Sequence, residues 1–533
     1  MLQYFVRRSH TTIPNQYDLY ARTCADGSTQ RQNVDFINSY SPVASINSLC
    51  ILLNLAASEG LLISILDISN AFQNGIIFNL TERVFISLPP LYLDWFHQTW
   101  PDYKLPSYSA KELVLQCLKC IQGTRDAGQR WYKLLAGCLL RQNMTRCSCD
   151  HGVFIWNLPT QTCYSALETD DLLFLSKTCE PFLQLKQALE QLFDLTICEG
   201  NILKFLNLRI VQSPAGVSFD QTQHIQRTIL SEYLKDIPSQ SIHRQLFPFP
   251  IDSGFEKRLY ESPPLTGIEL TNATKKFCFA FSHVIGGLMH IATVSQPDLS
   301  YCVMRYSGYM ACPNQPIFDA LHLTMCYLYY HPHLPIMYPS KLYKSGSKSL
   351  QTHWKTGFAE YLPGDYGDGL ATFADADFAR CLRTRRSVSA HFHLLNGVLV
   401  SWGCKKQPVT TLHSSGAELT SLHHAGFKST LLQAFLSAIG KPLLSPSTIF
   451  EDNKGTIQLI RTQRLTDTVR HHDVKLAWRH ENFLRGSFLV AYSKTARLTV
   501  QQNQSMALTF ITKFHLPLVS ASIPPVRSSI ILI

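Results

Sequence analysis

Leu61-Leu-Ile-Ser-Ile-Leu66 is an apolar run interrupted only by Ser64, and it stops at Asp67. Tyr164 to Thr169 and Leu172 to Leu175 are two further β-prone runs, and they flank Asp170-Asp171. An acidic pair between two strands reads as a hairpin tip, where short polar residues suit the turn. Three carboxylates at strand ends can converge on one sheet edge. Hard divalent cations take oxygen ligands of this kind, often one or two carboxylates plus substrate phosphates. Two such cations serve phosphoryl displacement. On spacing alone, ordinary turn residues explain Asp67, Asp170 and Asp171 better.

Farther along, Phe373-Ala-Asp-Ala-Asp-Phe378 ends an expected strand that starts at Leu370. Ser415-Gly-Ala-Glu418 opens a helix, Ile449-Phe-Glu-Asp-Asn453 ends another strand, and Arg470-His-His-Asp473 opens a last helix. Asp375, Glu418, Asp452 and Asp473 therefore all fall at element ends. A two-metal hydrolytic site needs such an acidic set. Simpler readings exist: Ser415 with Glu418 fits a capping box, and Asp452 and Asp473 suit helix N-termini.

The chain around these runs has 533 residues, with 45% hydrophobic and 16% charged, which excludes a disordered protein. Its length suits several domains. Lys and Arg exceed Asp and Glu by 10, a balance that permits a polyanionic partner without demanding one. No secretory signal or membrane-length apolar run is evident, so an intracellular protein, cytoplasmic or nuclear, is expected. Sixteen scattered cysteines fit reduced thiols. Cys117, Cys120, Cys147, Cys149 and His151 have imperfect zinc spacing, and buried thiols explain them better. Pro-bearing stretches at 247–250 and 262–265 read as a linker. Residues 272–335 read as mostly helical, with Phe277, Phe281, Ile285, Leu288 and Ile291 at helical spacing. Residues 343–349 read as a flexible polar segment.

The words surrounding the first carboxylates resemble the reverse transcriptase of copia-type retrotransposons. Tyr20-Ala-Arg22, Asp26 to Arg31 and Tyr40-Ser-Pro-Val43 begin the resemblance. Leu66-Asp-Ile-Ser-Asn-Ala-Phe-Gln-Asn-Gly75 is similar to the family's L-D-V-x-N-A-F-L-N-G, and Gln122-Gly-Thr-Arg-Asp-Ala127 with Arg130-Trp-Tyr132 follows in order. Glu168-Thr-Asp-Asp171 stands where the family has Y-V-D-D. Gly286 to Thr293 and Gln296-Pro-Asp-Leu-Ser-Tyr301 match a segment between polymerase and nuclease. Ala374 to Ala379, Arg385-Arg-Ser387, Trp402 to Gln407, Ser414 to Glu418, Asp452-Asn453 and His471-His-Asp473 then resemble the ribonuclease H domain of the same elements.

The resemblance implies an α+β multidomain protein. Residues 1–245 would form fingers and a ferredoxin-like palm, 246–365 a helical thumb or connection, and 366–515 a ribonuclease H-like α/β domain with a mixed sheet; 516–533 would be a tail. It implies RNA-directed DNA polymerase and ribonuclease H activities with two Mg²⁺ per site, Mn²⁺ being an alternative. The partners implied are an RNA template, a DNA primer, an RNA–DNA hybrid and deoxynucleoside triphosphates, with no membrane; oligomeric state is left open. Asp67, Asp170 and Asp171 would hold metal in the palm, and Asp375, Glu418, Asp452 and Asp473 in the nuclease. Arg22, Phe72, Gln122, Gly123 and Arg125 would contact the nucleotide, Phe72 by excluding a ribose 2′-OH, unless it is a core aromatic. Arg385, Arg386, Lys405 and Lys406 would meet phosphates, unless they form a solvated basic face.

The sequence also departs from the family pattern. Tyr20 replaces a Lys, Glu168 and Thr169 replace Tyr-Val, and Asn207 replaces a Gly. Gln122 replaces a Tyr and Gln296 an Arg. In the nuclease words Arg380 replaces Gly, Gly416 replaces Glu, and Leu508 stands where an Asp is usual, ahead of Thr512-Lys513. These changes keep open a second reading, a degenerate element-derived protein that retains the fold and nucleic-acid binding without catalysis.

Overall fold

The computed structural model describes residues 2–10, 17–78, 84–87, 92–102, 114–235, 237–250, 252, 254–276, 280–340, 369–462 and 473–492. Of residues 2–10, 17–23, 239, 276, 462, 473–476, 478 and 479 only the backbone is described. The expectations for Phe277, His471, His472, residues 343–349, Leu508, Thr512, Lys513 and the tail fall outside these residues. The chain divides into two compact units, one of residues 1–45 and 62–200, the other of residues 46–61 and 201–533.

The first unit contains β1 (Leu2–His10), β2 (Tyr17–Ala25), β3 (Leu62–Ile68), β4 (Val84–Ser87), β5 (Val114–Cys117), β6 (Thr145–Arg146), β7 (Val153–Asn157), β8 (Thr162–Glu168), β9 (Asp171–Ser176) and β10 (Leu195–Cys198). Strands β1 and β2 pair, as do β4 and β5. The remaining six form an antiparallel sheet ordered β10-β3-β9-β8-β7-β6. The apolar runs quoted above become β3, β8 and β9, in the middle of this sheet. Residues Cys163–Leu167 and Leu172–Ser176 are buried without alternation, as expected of strands covered on both faces. Helices Ala127–Arg141 and Glu180–Glu190 supply cover: Trp131, Leu135, Phe182 and Leu185 join Leu66, Leu172 and Phe174 in one core.

The second unit holds two sheets. One is an antiparallel meander of β11 (Ile202–Phe205), β12 (Leu208–Ser213), β13 (Gly216–Asp220) and β14 (Ile336–Pro339). In the turn between β11 and β12 the positive φ, 56°, falls on Leu206, the residue before Asn207. Helices Phe281–Val294, Ser300–Ser307 and Gln315–Tyr330 bear out the helical reading of the middle block. Phe281, Ile285, Leu288 and Ile291 are all buried in their shared core.

The other sheet is mixed, ordered β17-β16-β15-β18-β19, from β15 (Leu370–Asp377), β16 (Val388–Leu395), β17 (Val398–Lys406), β18 (Ser447–Glu451) and β19 (Phe488–Tyr492). Its first three strands are an antiparallel meander, while β18 runs parallel to β15 and β19 parallel to β18. The parallel pairing requires crossovers. The Ser414–Ala438 helix makes the first, and helices Lys454–Thr462 and Asp473–Leu484 lie in the second. The molecule is thus α+β with several sheets, including the mixed α/β block that was expected. Trp402 Nε1–H donates to Ala292 O at 2.8 Å and Tyr338 O–H to Leu399 O at 3.1 Å, tying the mixed sheet to the helical block and meander.

Candidate functional sites

Asp67 is the penultimate residue of β3 and lies directly opposite Asp171 of β9. Glu168 of β8 lies opposite Asp171 from the other side. Directly opposed residues share a face of an antiparallel sheet, so Asp67, Asp171 and Glu168 form a carboxylate row across three adjacent strands. Asp170 sits in the two-residue turn beside them. Its carbonyl accepts Ile68 N–H at 2.9 Å, fastening the tip to β3. Thr169, the other turn residue, has φ 53°, a rare conformation for a β-branched side chain. Trp131 Nε1–H donates to Thr169 O at 2.6 Å and helps hold it there.

The electrostatics follow from this crowding. Burial, then the charge of Asp170, raises the Asp67 carboxyl above its ordinary value. Burial pushes Glu168 up to about 7, and Asp171, Asp170 and Asp150 add repulsion. Phe72, in the short Ala71–Asn74 helix, is half-buried and packs against the Trp131 core. It is therefore partly a core aromatic while keeping exposed surface. Arg22 lies in β2 opposite Phe5, and its side chain is outside the described residues.

Gln122, Gly123 and Arg125 meet the end of β2. Ala25 N–H donates to Gln122 O at 2.7 Å, and Arg125 Nε–H donates to Gly27 O at 2.9 Å.

In the mixed sheet, Asp375 of β15, Glu418 of the Ser414–Ala438 helix and Asp452 just past β18 each bring one carboxylate oxygen within 4.8 Å of the others. No other such group of three His, Cys, Asp or Glu occurs among the described residues. The Asp67 row and the Cys117–His151 set therefore do not reach that density. Asp375 and Glu418 are buried. The capping-box reading of Glu418 is corrected: the N-cap is His413, with no side-chain cap bond. Glu418 Oε2 is instead buried without a hydrogen-bond partner. Burial raises the Glu418 carboxyl well above its usual range, and Glu451, Asp375 and Asp452 add to it. A buried, unpartnered carboxyl oxygen facing further carboxylates fits a hard divalent cation, whose charge would favour the ionised form. Asp473 opens the Asp473–Leu484 helix, its side chain outside the described residues. Asp377 stands apart from this group, and its Oδ1 accepts Val388 N–H at 2.7 Å.

Arg385, Arg386 and Lys405 are exposed near the strand ends. Lys406 is diverted, its Nζ lying 3.3 Å from Cys381 Sγ. Burial raises the Cys381 thiol, but hydrogen bonds from Thr384 and Lys406 outweigh this and leave it lowered. Sequence reasoning overlooked Glu451, wholly buried beside Glu418 and accepting Asn453 N–H at 3.1 Å. Its place immediately before Asp452 was the available signal.

Residues 4–242 match the family described as reverse transcriptase (RNA-dependent DNA polymerase). Over this segment the chain is similar to that family. Over 454 residues, 85% of its length, the chain is 26% identical to the retrovirus-related Pol polyprotein from transposon RE2 of Arabidopsis thaliana. Over 464 residues, 86% of its length, it is 23% identical to that from transposon TNT 1-94 of Nicotiana tabacum. It spans 27% and 31% of those two polyproteins. The expected resemblance to retrotransposon Pol polyproteins thus extends across most of the chain, and the reverse transcriptase match covers its first part. A foamy viral protease-reverse transcriptase solved with an RNA/DNA hybrid aligns with 91% of this chain and 49% of its own, at 12% identity and TM-score 0.46. No helix among the described residues is long and apolar enough to cross a membrane.

Proposed function

We propose that this reverse transcriptase relative is an RNA-directed DNA polymerase and ribonuclease H of a copia-type element. The observation that carries the reading is the presence of two acidic sites in one chain, one in each compact unit. Asp67, Asp170 and Asp171 would hold Mg²⁺ at the hairpin tip; Asp375, Glu418 and Asp452, with Asp473, would hold it at the mixed sheet. Bound there, the cations would supply charge neutralisation at phosphoryl oxygens and activation of the attacking oxygen. The chain's own residues place the carboxylates. The Trp131 bond and β3 fix the hairpin tip, and Phe72 offers a partly exposed ring packed against the Trp131 core. Arg22 and Arg125 would meet the triphosphate, and the exposed Arg385, Arg386 and Lys405 the hybrid backbone. Substrates would be deoxynucleoside triphosphates, an RNA template and a DNA primer.

Purified protein should extend a DNA primer on an RNA template in Mg²⁺, and Asp170→Asn should abolish extension. It should also cut the RNA of a hybrid, and Asp375→Asn should stop cutting while leaving extension intact. Folded protein that extends nothing removes the polymerase half. Cleavage that survives Asp375→Asn removes the nuclease assignment. The second reading, a protein that binds nucleic acid without polymerising, draws support from Glu168, an extra carboxylate beside Asp171. Hybrid binding without extension is its signature.

A further inference from the structure

The end of β2 and the Gln122–Arg125 segment approach unusually closely. A Cβ on Gly123 would stand 2.0 Å from Ala25 O, and one on Gly27 would stand 2.2 Å from Gly123 O. Gly123 also has φ 98°, which favours glycine. Across this seam Arg125 donates twice, its backbone N–H to Gln30 Oε1 at 2.7 Å and its Nε–H to Gly27 O at 2.9 Å.

Residues 25–28 and 123–125 line an open cleft of about 510 Å³. Arg125 is its cation. Asp26 lies within electrostatic reach of Arg125, but its Oδ1 is engaged by Ser28, accepting Ser28 N–H at 3.0 Å and Ser28 O–H at 2.6 Å. The terminal nitrogens of Arg125 have no hydrogen-bond partner among the described residues.

We infer that Gln30 is a positioning residue for nucleotide binding, acting through Arg125. Its amide oxygen fixes the Arg125 backbone while Gly27 O fixes Nε. The guanidinium is thereby anchored at two points, with its terminal N–H groups left for an anionic phosphate. An arginine held in this way loses less side-chain freedom on binding, so affinity is gained without a new contact. This rests on the polymerase reading above, and it assigns a role to a residue that touches no substrate itself.

The test uses the full chain on a primer–template. Gln30→Met keeps side-chain length and removes the acceptor. With Ca²⁺ replacing Mg²⁺ to halt chemistry, titration with the next correct deoxynucleoside triphosphate should show affinity weakened about five- to tenfold. In Mg²⁺, KM should rise by the same factor with kcat nearly constant. In an Arg125→Ala background, Gln30→Met should change KM by less than about twofold, because no guanidinium remains to be positioned. Gln30→Asn, which keeps the amide but shortens it, should fall between wild type and Gln30→Met, and it serves if Gln30→Met does not fold. Unchanged affinity in the variants while wild type binds overturns the inference alone. So does an equal loss with and without Arg125. Wild-type protein that binds no nucleotide removes the polymerase reading together with the inference.

Discussion

Glu168 stands directly across the β8–β9 hairpin from Asp171, and Asp171 stands directly across from Asp67. The hairpin thus brings an additional acid beside Asp67 and Asp171. Burial, chiefly, and the neighbouring charges of Asp171, Asp170 and Asp150 favour its neutral form.

That relationship gives a pH dependence with a definite sign. Glu168 has a folded-state value of about 7, against an ordinary 4.5. The folded protein therefore binds more protons than the unfolded chain between these values. Stability from this group is fully present below pH 4.5 and is lost as pH rises through about 7. Glu168→Gln should match wild type in thermal unfolding near pH 4.5 and exceed it by about 1–2 °C near pH 8, without divalent cation. Equal unfolding curves across the range would show that the carboxyl is relaxed by solvent.

Glu418 carries a similar conflict in a drier place. The residue is 5% exposed, and its carboxyl faces Glu451, Asp375 and Asp452. Glu418→Gln should stabilise the metal-free protein by about 0.5–2 kcal/mol, measured by denaturant unfolding. The same change should weaken Mn²⁺ binding, read by electron paramagnetic resonance, and abolish hybrid cleavage. A variant that is less stable and binds Mn²⁺ normally would show Glu418 to be structural.

Gly123→Ala should destabilise the first unit by at least about 2 kcal/mol in chemical denaturation. Its φ of 98° is unfavourable for alanine, and the added Cβ would meet the Ala25 carbonyl at 2.0 Å. That neighbour is backbone and cannot turn aside. Gly440→Ala provides the contrast: its φ is 77°, yet nothing lies within 4 Å of the added Cβ. The difference between the two isolates the close approach from backbone strain.

Much was legible in the sequence because its signals are local. The apolar runs at 61–66, 164–169 and 172–175 mark strands since their β-prone side chains must be buried, and the acidic pair between two of them marks a turn. The periodic apolar residues of 281–291 mark a helix for the same reason of burial. Family words then placed the seven carboxylates, though not their distances.

Other features depended on partners distant in the chain. Glu418 looked like a cap because Ser415 lies three residues before it, yet the helix begins at Ser414, capped by His413, and turns Glu418 toward Asp375 and Asp452. Gln30 carries no motif of its own; it matters because folding brings it to Arg125, 95 positions away. Helix Ile46–Glu59 precedes β3 directly in sequence but belongs to the other compact unit. Sequence alone marked several of the strands and helices and the acidic residues at their ends, because burial periodicity and turn chemistry act over a few neighbouring residues. Only the tertiary structure decided which carboxylates meet, which cations remain for a ligand and which acids repel one another, because charge and hydrogen bonding depend on distances in space.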